Sequence, residues 1–296
     1  WWIFSGWEIP SWSPCKRLDD DPLEKFPMKC LAFDFPLRFG GVSAESWILK
    51  ANKHIFRIRG TAILSASIKE IQHLTGKVDG WLGKREGPYL YSLAKAASPK
   101  GVVVEIGSWK GKSTIWLAKG SENMGSAQVY AIDPHVGGPD QEKIGLSAVS
   151  TEDEFRSNMK KAGVDSMVVP LVKSSMDAAE GWNKAIGLLW IDGDHSYDSV
   201  KGDFFSWEPH VVEGGIIALH DTYSWEGVRR VVDEEILRMN RFQVLGQVDG
   251  ILAVKKVKSL DSSQRIKRML VAGLRRIYNG ARVQRKHWRA LPRKLL

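Results

Sequence analysis

The residues best equipped for chemistry lie at the ends of two apolar runs. Leu188–Ile191 runs into Asp192, Asp194 and His195, and Ile216–Leu219 runs into His220 and Asp221. Carboxylates and imidazoles in one place can hold a divalent cation, and an imidazole of ordinary pKa, about 6.5, can take a proton near neutrality. A short apolar run bounded by turn residues reads as a buried parallel strand. In open α/β sheets, ligands bind just beyond the carboxyl ends of such strands. All five side chains are therefore expected to converge on one site.

The chain supplies the elements this placement needs. VVVEIG (102–107), QVYAID (128–133), MVVPLV (167–172), LLWID (188–192) and GGIIALHD (214–221) read as strands. Between them lie helical stretches: KSTIWLAKG (112–120) ended by Gly120, TEDEFRSNMKKAG (151–163) with Thr151 and Glu154 at capping-box spacing, and DSVKGDFFSWEPHV (198–211). IKEIQHL and PYLYSLAKAA precede them as helices. VRRVVDEEILR follows as another, and FQVLGQVDGILAVKKV closes as a hairpin turning at Val248–Asp249–Gly250. Strand–helix alternation of this kind predicts an α/β fold, a mostly parallel sheet with helices on both faces. Asp203 and Trp207, at helical spacing, read as structural. Residues 1–66 form an N-terminal extension broken by prolines, where LAFDFPLRF and HIFRIRGTAIL are candidate strands. Residues 67–257 form the core domain, and 258–296 form a tail.

Composition narrows the classes. With 296 residues, 43% of them hydrophobic, the chain can bury a full core. It has no apolar run long enough to span a membrane, and WWIFSGWEIPSWSP does not read as a signal peptide. Cys15 and Cys30 read as free thiols of a reducing compartment, so the expected location is cytoplasmic. After Val257, twelve Lys and Arg residues face Asp261 alone, so the net charge of +9 belongs to the tail. Within it, Ile266, Met269, Leu270, Gly273, Leu274, Ile277 and Tyr278 follow helical spacing, with Arg265, Lys267, Arg268, Arg275 and Arg276 mostly off that stripe. Such a basic amphipathic helix can dock on the body, rest on an anionic membrane at its inner face, bind an acidic polymer, or pack against another subunit in a homo-oligomer. A nucleic-acid partner is not expected.

The first strand ends Glu105-Ile106-Gly107-Ser108-Trp109-Lys110-Gly111 and a helix follows, the setting in which backbone N–H groups meet a ligand. A dinucleotide fingerprint needs glycine at 107, 109 and 112, and two of these are Trp109 and Lys112. This weakens a nicotinamide oxidoreductase, which stays as an alternative beside a non-catalytic adaptor at a membrane surface. Asp133, ending the second strand, is placed to accept hydrogen bonds from ribose hydroxyls.

EIGSWKGKSTIWLA, VYAIDP, LLWIDGDHSYDSVKGDF and GGIIALHD, in that order, resemble the class I S-adenosylmethionine-dependent methyltransferases. More narrowly, they are similar to the bacterial small-molecule and sugar O-methyltransferases related to catechol O-methyltransferase. The resemblance implies a Rossmann-like seven-stranded sheet with an antiparallel last strand. It implies that Gly107, Ser108 and Gly111 line the methionine end of S-adenosylmethionine with Glu105 behind them, that Asp133 holds the ribose, and that Ser174 and Ser175 touch the adenine, with Asp177 closing that turn. It implies Asp192, His220 and Asp221 as ligands of a divalent metal, Mg²⁺ or Mn²⁺, with His220 the departure from the usual acid or amide. It implies His195 as general base and Asp194 as its support or the metal's. The acceptor would be a hydroxyl of a small molecule or glycan, touched by the loop His135–Ser150 and by Tyr223, Ser224 and Trp225.

Overall fold

β-branched and aromatic residues crowd the apolar runs, and these form the strands β1 (Val102–Ile106), β2 (Val129–Ile132), β3 (Val168–Leu171), β4 (Ile186–Ile191), β5 (Val211–Leu219), β6 (Phe242–Val248) and β7 (Ile251–Lys256). The computed structural model of the chain describes residues 61–138 and 150–290, with side chains for 68–138 and 150–279. The chain divides into Trp1–Arg57 and Ile58–Leu296, and every described residue belongs to the second unit. LAFDFPLRF, Cys15, Cys30 and the centre of the loop after β2 lie outside the described residues. So does most of HIFRIRGTAIL, but its end, Thr61–Leu64, is helical and opens α1 (Thr61–Thr75).

The strands join in one seven-stranded sheet of order β3-β2-β1-β4-β5-β7-β6. All neighbours are parallel except β7, which runs antiparallel to β5 and β6. This is the expected Rossmann-like sheet with its reversed last strand. The register decides where the chemistry sits. Ile106 pairs with Ile132 and Ile191, and Ile191 pairs with Leu219. The next residues, Gly107, Asp133, Asp192 and His220, therefore stand at one level along the carboxyl edge. The strand order reverses between β1 and β4, which is where such sheets open a crevice.

Alternation along the strands divides the core in two. Val103, Leu188, Trp190 and Ala218 face α1, α2 (Glu86–Ala97), α3 (Lys112–Glu122) and α4 (Glu152–Ala162). Val104, Leu189, Ile191 and Ile217 face α5 (Ser175–Ala179), α6 (Tyr197–Trp207) and α7 (Glu226–Arg230). At about 1.5–3 kcal/mol for each large apolar side chain buried, these two layers hold the strand ends in fixed register.

Two local expectations change. The helix α3 runs past Gly120 to Glu122, because Gly120 lies against the Tyr91 carbonyl and serves close helix packing. Thr151 sits at the N-cap of α4 without capping it. Its Oγ1 lies 2.8 Å from Nδ1 of the buried His135 instead. The tail forms α8 (Ser262–Ala290), and no helix among the described residues is long and apolar enough to cross a membrane.

Candidate active site

The carboxyl edge of β1, β2, β4 and β5 opens onto a cleft of about 920 Å³, a volume suited to a cofactor-sized ligand. Gly107, Ser108, Asp133, Ser174, Ser175, Asp192, His195, His220 and Asp221 all line it. Gly111, expected there, does not, and neither does Glu105, expected behind the turn. Glu105 points from β1 to the other face of the sheet, where it accepts hydrogen bonds of 2.5 Å from both Ser113 and Thr114 at the start of α3. Its burial pushes its pKa up to about 8, against the two hydroxyls that favour the charged form. Gly111 is the left-handed N-cap of α3, packed on Met159 and Phe155. Both residues shape the turn from behind.

The turn between β1 and α3 is built for close approach. Gly107 has φ of +85°, and a Cβ there would overlap the Asp192 carbonyl. Ser108 is buried, and its Oγ meets no partner among the described residues although it borders the cleft. A buried hydroxyl left without a partner carries a desolvation cost of about 1–3 kcal/mol that a polar ligand group would relieve. Asp133 ties two turns together. Its Oδ2 accepts the Trp109 N–H at 2.8 Å, and its Oδ1 accepts the His135 N–H at 2.7 Å. Each oxygen keeps a lone pair for a further donor.

Ser174 is the N-cap of α5. Its Oγ accepts the Asp177 N–H at 3.1 Å and donates to Asp177 Oδ2 at 2.7 Å, so Asp177 closes this turn. The Ser175 hydroxyl donates to Oδ1 of Asp203. Asp203 thus does more than hold the helix: it braces the α5 turn from α6 and borders the cleft. Burial raises its pKa to about 6, opposed by the Ser175 hydrogen bond. Trp207 is fully buried, and its Nε1 donates to the Ser175 carbonyl at 3.2 Å.

The acids and histidines beyond β4 and β5 separate into two groups. His220 is buried with both ring nitrogens engaged, Nδ1 with Asp192 Oδ1 at 2.9 Å and Nε2 with Glu86 Oε2 at 3.1 Å. Burial works against its charge, but the Asp192 charge and the two hydrogen-bonded carboxylates outweigh this and raise its pKa well above the usual value. Both of its nitrogens face carboxylates, whereas the resemblance implied His220 as a metal ligand beside Asp192 and Asp221. Among the described residues, the ligand atoms of Asp192, His195 and Asp221 converge, all within 4.8 Å of one another.

His195 Nε2 lies 3.3 Å from Asp221 Oδ2, and its ring stacks on Trp225 at 4.7 Å and 10°. Burial acts to raise the pKa of Asp221, but the hydrogen bond from His195 and the charge of His220 outweigh it and leave the carboxyl below its usual range. Asp221 also holds a φ of +52°, a strained conformation for a residue with a side chain. Burial raises Asp192, with the His220 charge opposing. Asp194 Oδ1 accepts the Ser196 N–H at 2.6 Å. The helix is capped by Ser196 itself, which accepts from the Ser199 N–H.

Three contributors lack a local signal in the sequence. Glu86 reaches His220 from α2. Trp81, in the loop before α2, borders the cleft with its ring 5.8 Å from that of Trp109. Arg275, on the tail helix, donates to the Thr222 carbonyl at 2.8 Å, one residue after Asp221.

Residues 104–222 match a protein family described as a methyltransferase domain. Among solved structures, the chain is similar to the O-methyltransferase NovP, with 17% identity over 66% of this chain and 100% of that one, at a TM-score of 0.55. An O-methyltransferase from Bacillus cereus in complex with SAH matches at 18% identity over 72% of this chain and 99% of its own, with a TM-score of 0.47. TomG from Streptomyces achromogenes, an O-methyltransferase of tomaymycin synthesis in complex with SAM, matches at 16% identity over 73% and 99%, with a TM-score of 0.44. At these identities the NovP likeness is one of fold, and the other two add no weight to it. Over residues 104–222, the strands and turns that build the cleft, this chain matches the methyltransferase-domain family, on a seven-stranded Rossmann-like sheet.

Proposed function

We propose that the chain is an O-methyltransferase that transfers the methyl group of S-adenosylmethionine to a hydroxyl of a small molecule or glycan. The observation that carries this reading is the convergence of Asp192, His195 and Asp221 on the cleft that Ser108 and Gly107 also border. S-adenosylmethionine supplies an electrophilic methyl on its sulfonium. The orphan hydroxyl of Ser108, the approach allowed at Gly107 and the N-terminus of α3 suit its amino-acid end, and the lone pairs of Asp133 suit its ribose.

A hydroxyl is a poor nucleophile until its proton is removed. In this reading His195 is the base: Asp221 Oδ2 lies 3.3 Å from its Nε2, and the Trp225 ring stacks on its imidazole. The carboxylates of Asp192 and Asp221 would hold a divalent cation. With both His220 nitrogens engaged by Asp192 and Glu86, this oxygen-rich pair suits Mg²⁺ or Mn²⁺, which keep waters and take acceptor oxygens. A bound cation would lower the pKa of the acceptor hydroxyl. The likeness to an O-methyltransferase, NovP, agrees with hydroxyl as the acceptor class.

The test is release of S-adenosylhomocysteine against pooled sugar and phenol acceptors, with and without a chelator. Acceptor-dependent release that falls on chelation, and by about 10²–10⁴-fold in His195→Ala, is the expected result. Binding of NADH without binding of S-adenosylmethionine would overturn the reading, as would a His195→Ala variant of undiminished rate.

A further inference from the structure

The tail helix α8 docks on the body with the side opposite to the one its sequence suggests. Arg275, only 1% exposed, points inward, where it pairs with Asp233 at 2.7 Å and reaches Gln247 and Thr222. Arg268 donates to the Met239 carbonyl at 2.7 Å, and Val271 and Ala272 pack on the core. The larger apolar residues face outward. Ile266, Met269, Leu270, Leu274 and Ile277 are 51–71% exposed. They form a stripe about 16 Å long at the helical rise, and a contiguous exposed apolar patch of this kind marks a contact surface.

We propose that this stripe rests in the interface of an anionic lipid bilayer, with the helix lying in the plane of the surface. Charge decides the occupant. Arg265 and Arg276 are exposed beside the stripe, and from Ser262 to the end of the chain there is no acidic residue against eleven Lys and Arg. A second copy seated on the same face would bring two such tails together and set like charges side by side. An anionic lipid surface satisfies both halves of the pattern at once, apolar side chains in the acyl boundary and cations among the headgroups. The helix is not apolar enough to span. The inference is independent of the reaction in the cleft.

The full chain is floated with vesicles of phosphatidylcholine alone or mixed with phosphatidylglycerol, at low and high salt. Binding to the mixed vesicles only, weakened by salt, is expected. A triple variant, Ile266→Gln with Leu270→Gln and Ile277→Gln, should bind at least about tenfold more weakly. Because these side chains are exposed, it should keep its unfolding temperature and its mass by light scattering. Failure of the parent chain to float with anionic vesicles overturns the proposal, and so does undiminished binding by the triple variant. A parent dimer that the triple variant splits into monomers overturns it in favour of a subunit interface.

Discussion

Glu86, at the start of α2, meets His220, at the end of β5, at 3.1 Å across 134 residues of chain. The same carboxylate accepts the Gly83 N–H at 2.6 Å and the Gly250 N–H at 2.8 Å. One buried side chain thereby ties the loop before α2, the β6–β7 turn and the edge of the cleft, and its hydrogen bond helps raise the pKa of His220 beside Asp192. The ion pair matters because a buried charge deprived of its partner is costly, typically about 3–5 kcal/mol.

Glu86→Gln should therefore lower stability by about 3 kcal/mol and reduce the turnover rate. Affinity for S-adenosylmethionine should stay near that of the parent, since Glu86 does not border the glycine turn. Chemical unfolding and titration calorimetry check both halves. A variant as stable as the parent would show that the His220 charge is held by Asp192 alone.

Ser108 offers a cleaner test of the cofactor end. Its Oγ meets no partner among the described residues, so Ser108→Ala removes a hydroxyl without breaking a described internal bond. Thermal stability should hold or rise slightly. The dissociation constant for S-adenosylmethionine should rise about fivefold to tenfold, the worth of one ordinary hydrogen bond of about 1 kcal/mol. Equal affinity in the two proteins, measured by calorimetry, would remove Ser108 from the site.

What the sequence made legible follows from what is local. The apolar runs of β4 and β5 and the polar residues that follow them state their own placement, because strand ends in a parallel sheet share one edge. The hairpin turn at Asp249 and Gly250 was likewise readable. The pairing of His220 was not, since Glu86 sits in a distant helix whose own pattern says nothing of β5. Nor was the role of Thr151, whose capping spacing is indistinguishable from that of a residue reserved for His135. The tail shows the limit most plainly. Periodicity defines a stripe, but only the acceptors at Asp233, Gln247 and Thr222 decide that the Arg275 side turns inward.

Glu105 predicts a pH dependence of stability. Its pKa in the folded chain is about 8, raised by burial above the ordinary 4.5. Between those values the folded state keeps a proton that the unfolded state has released. The contribution of Glu105 to stability is therefore full below pH 4.5, declines as pH rises through that window, and levels off above about 8. Glu105→Gln cannot ionise, so the parent minus variant difference in unfolding free energy should fall steadily across the window. Denaturant unfolding at a series of pH values measures it. A difference that does not vary with pH would mean that Glu105 titrates as an ordinary carboxyl.

Arg275 links the tail to the catalytic edge, and its removal should be felt at both. Its guanidinium serves Asp233, Gln247 and both the carbonyl and hydroxyl of Thr222, and it lies 4.7 Å over the Tyr223 ring. Arg275→Met keeps the apolar stem but leaves the Thr222 carbonyl without its donor and Asp233 with only the Asn279 amide, at a cost of about 3 kcal/mol. Arg275→Lys should recover only part of this, because an ammonium cannot span the same fork of acceptors. Asp221, one residue upstream, sits in a left-handed conformation that needs its neighbours to hold it. Amide exchange should therefore quicken both in α8 and at residues 221–225, and the turnover rate should fall with it. If exchange quickened in α8 alone while turnover held, the tail would be anchored by Arg275 without supporting the site.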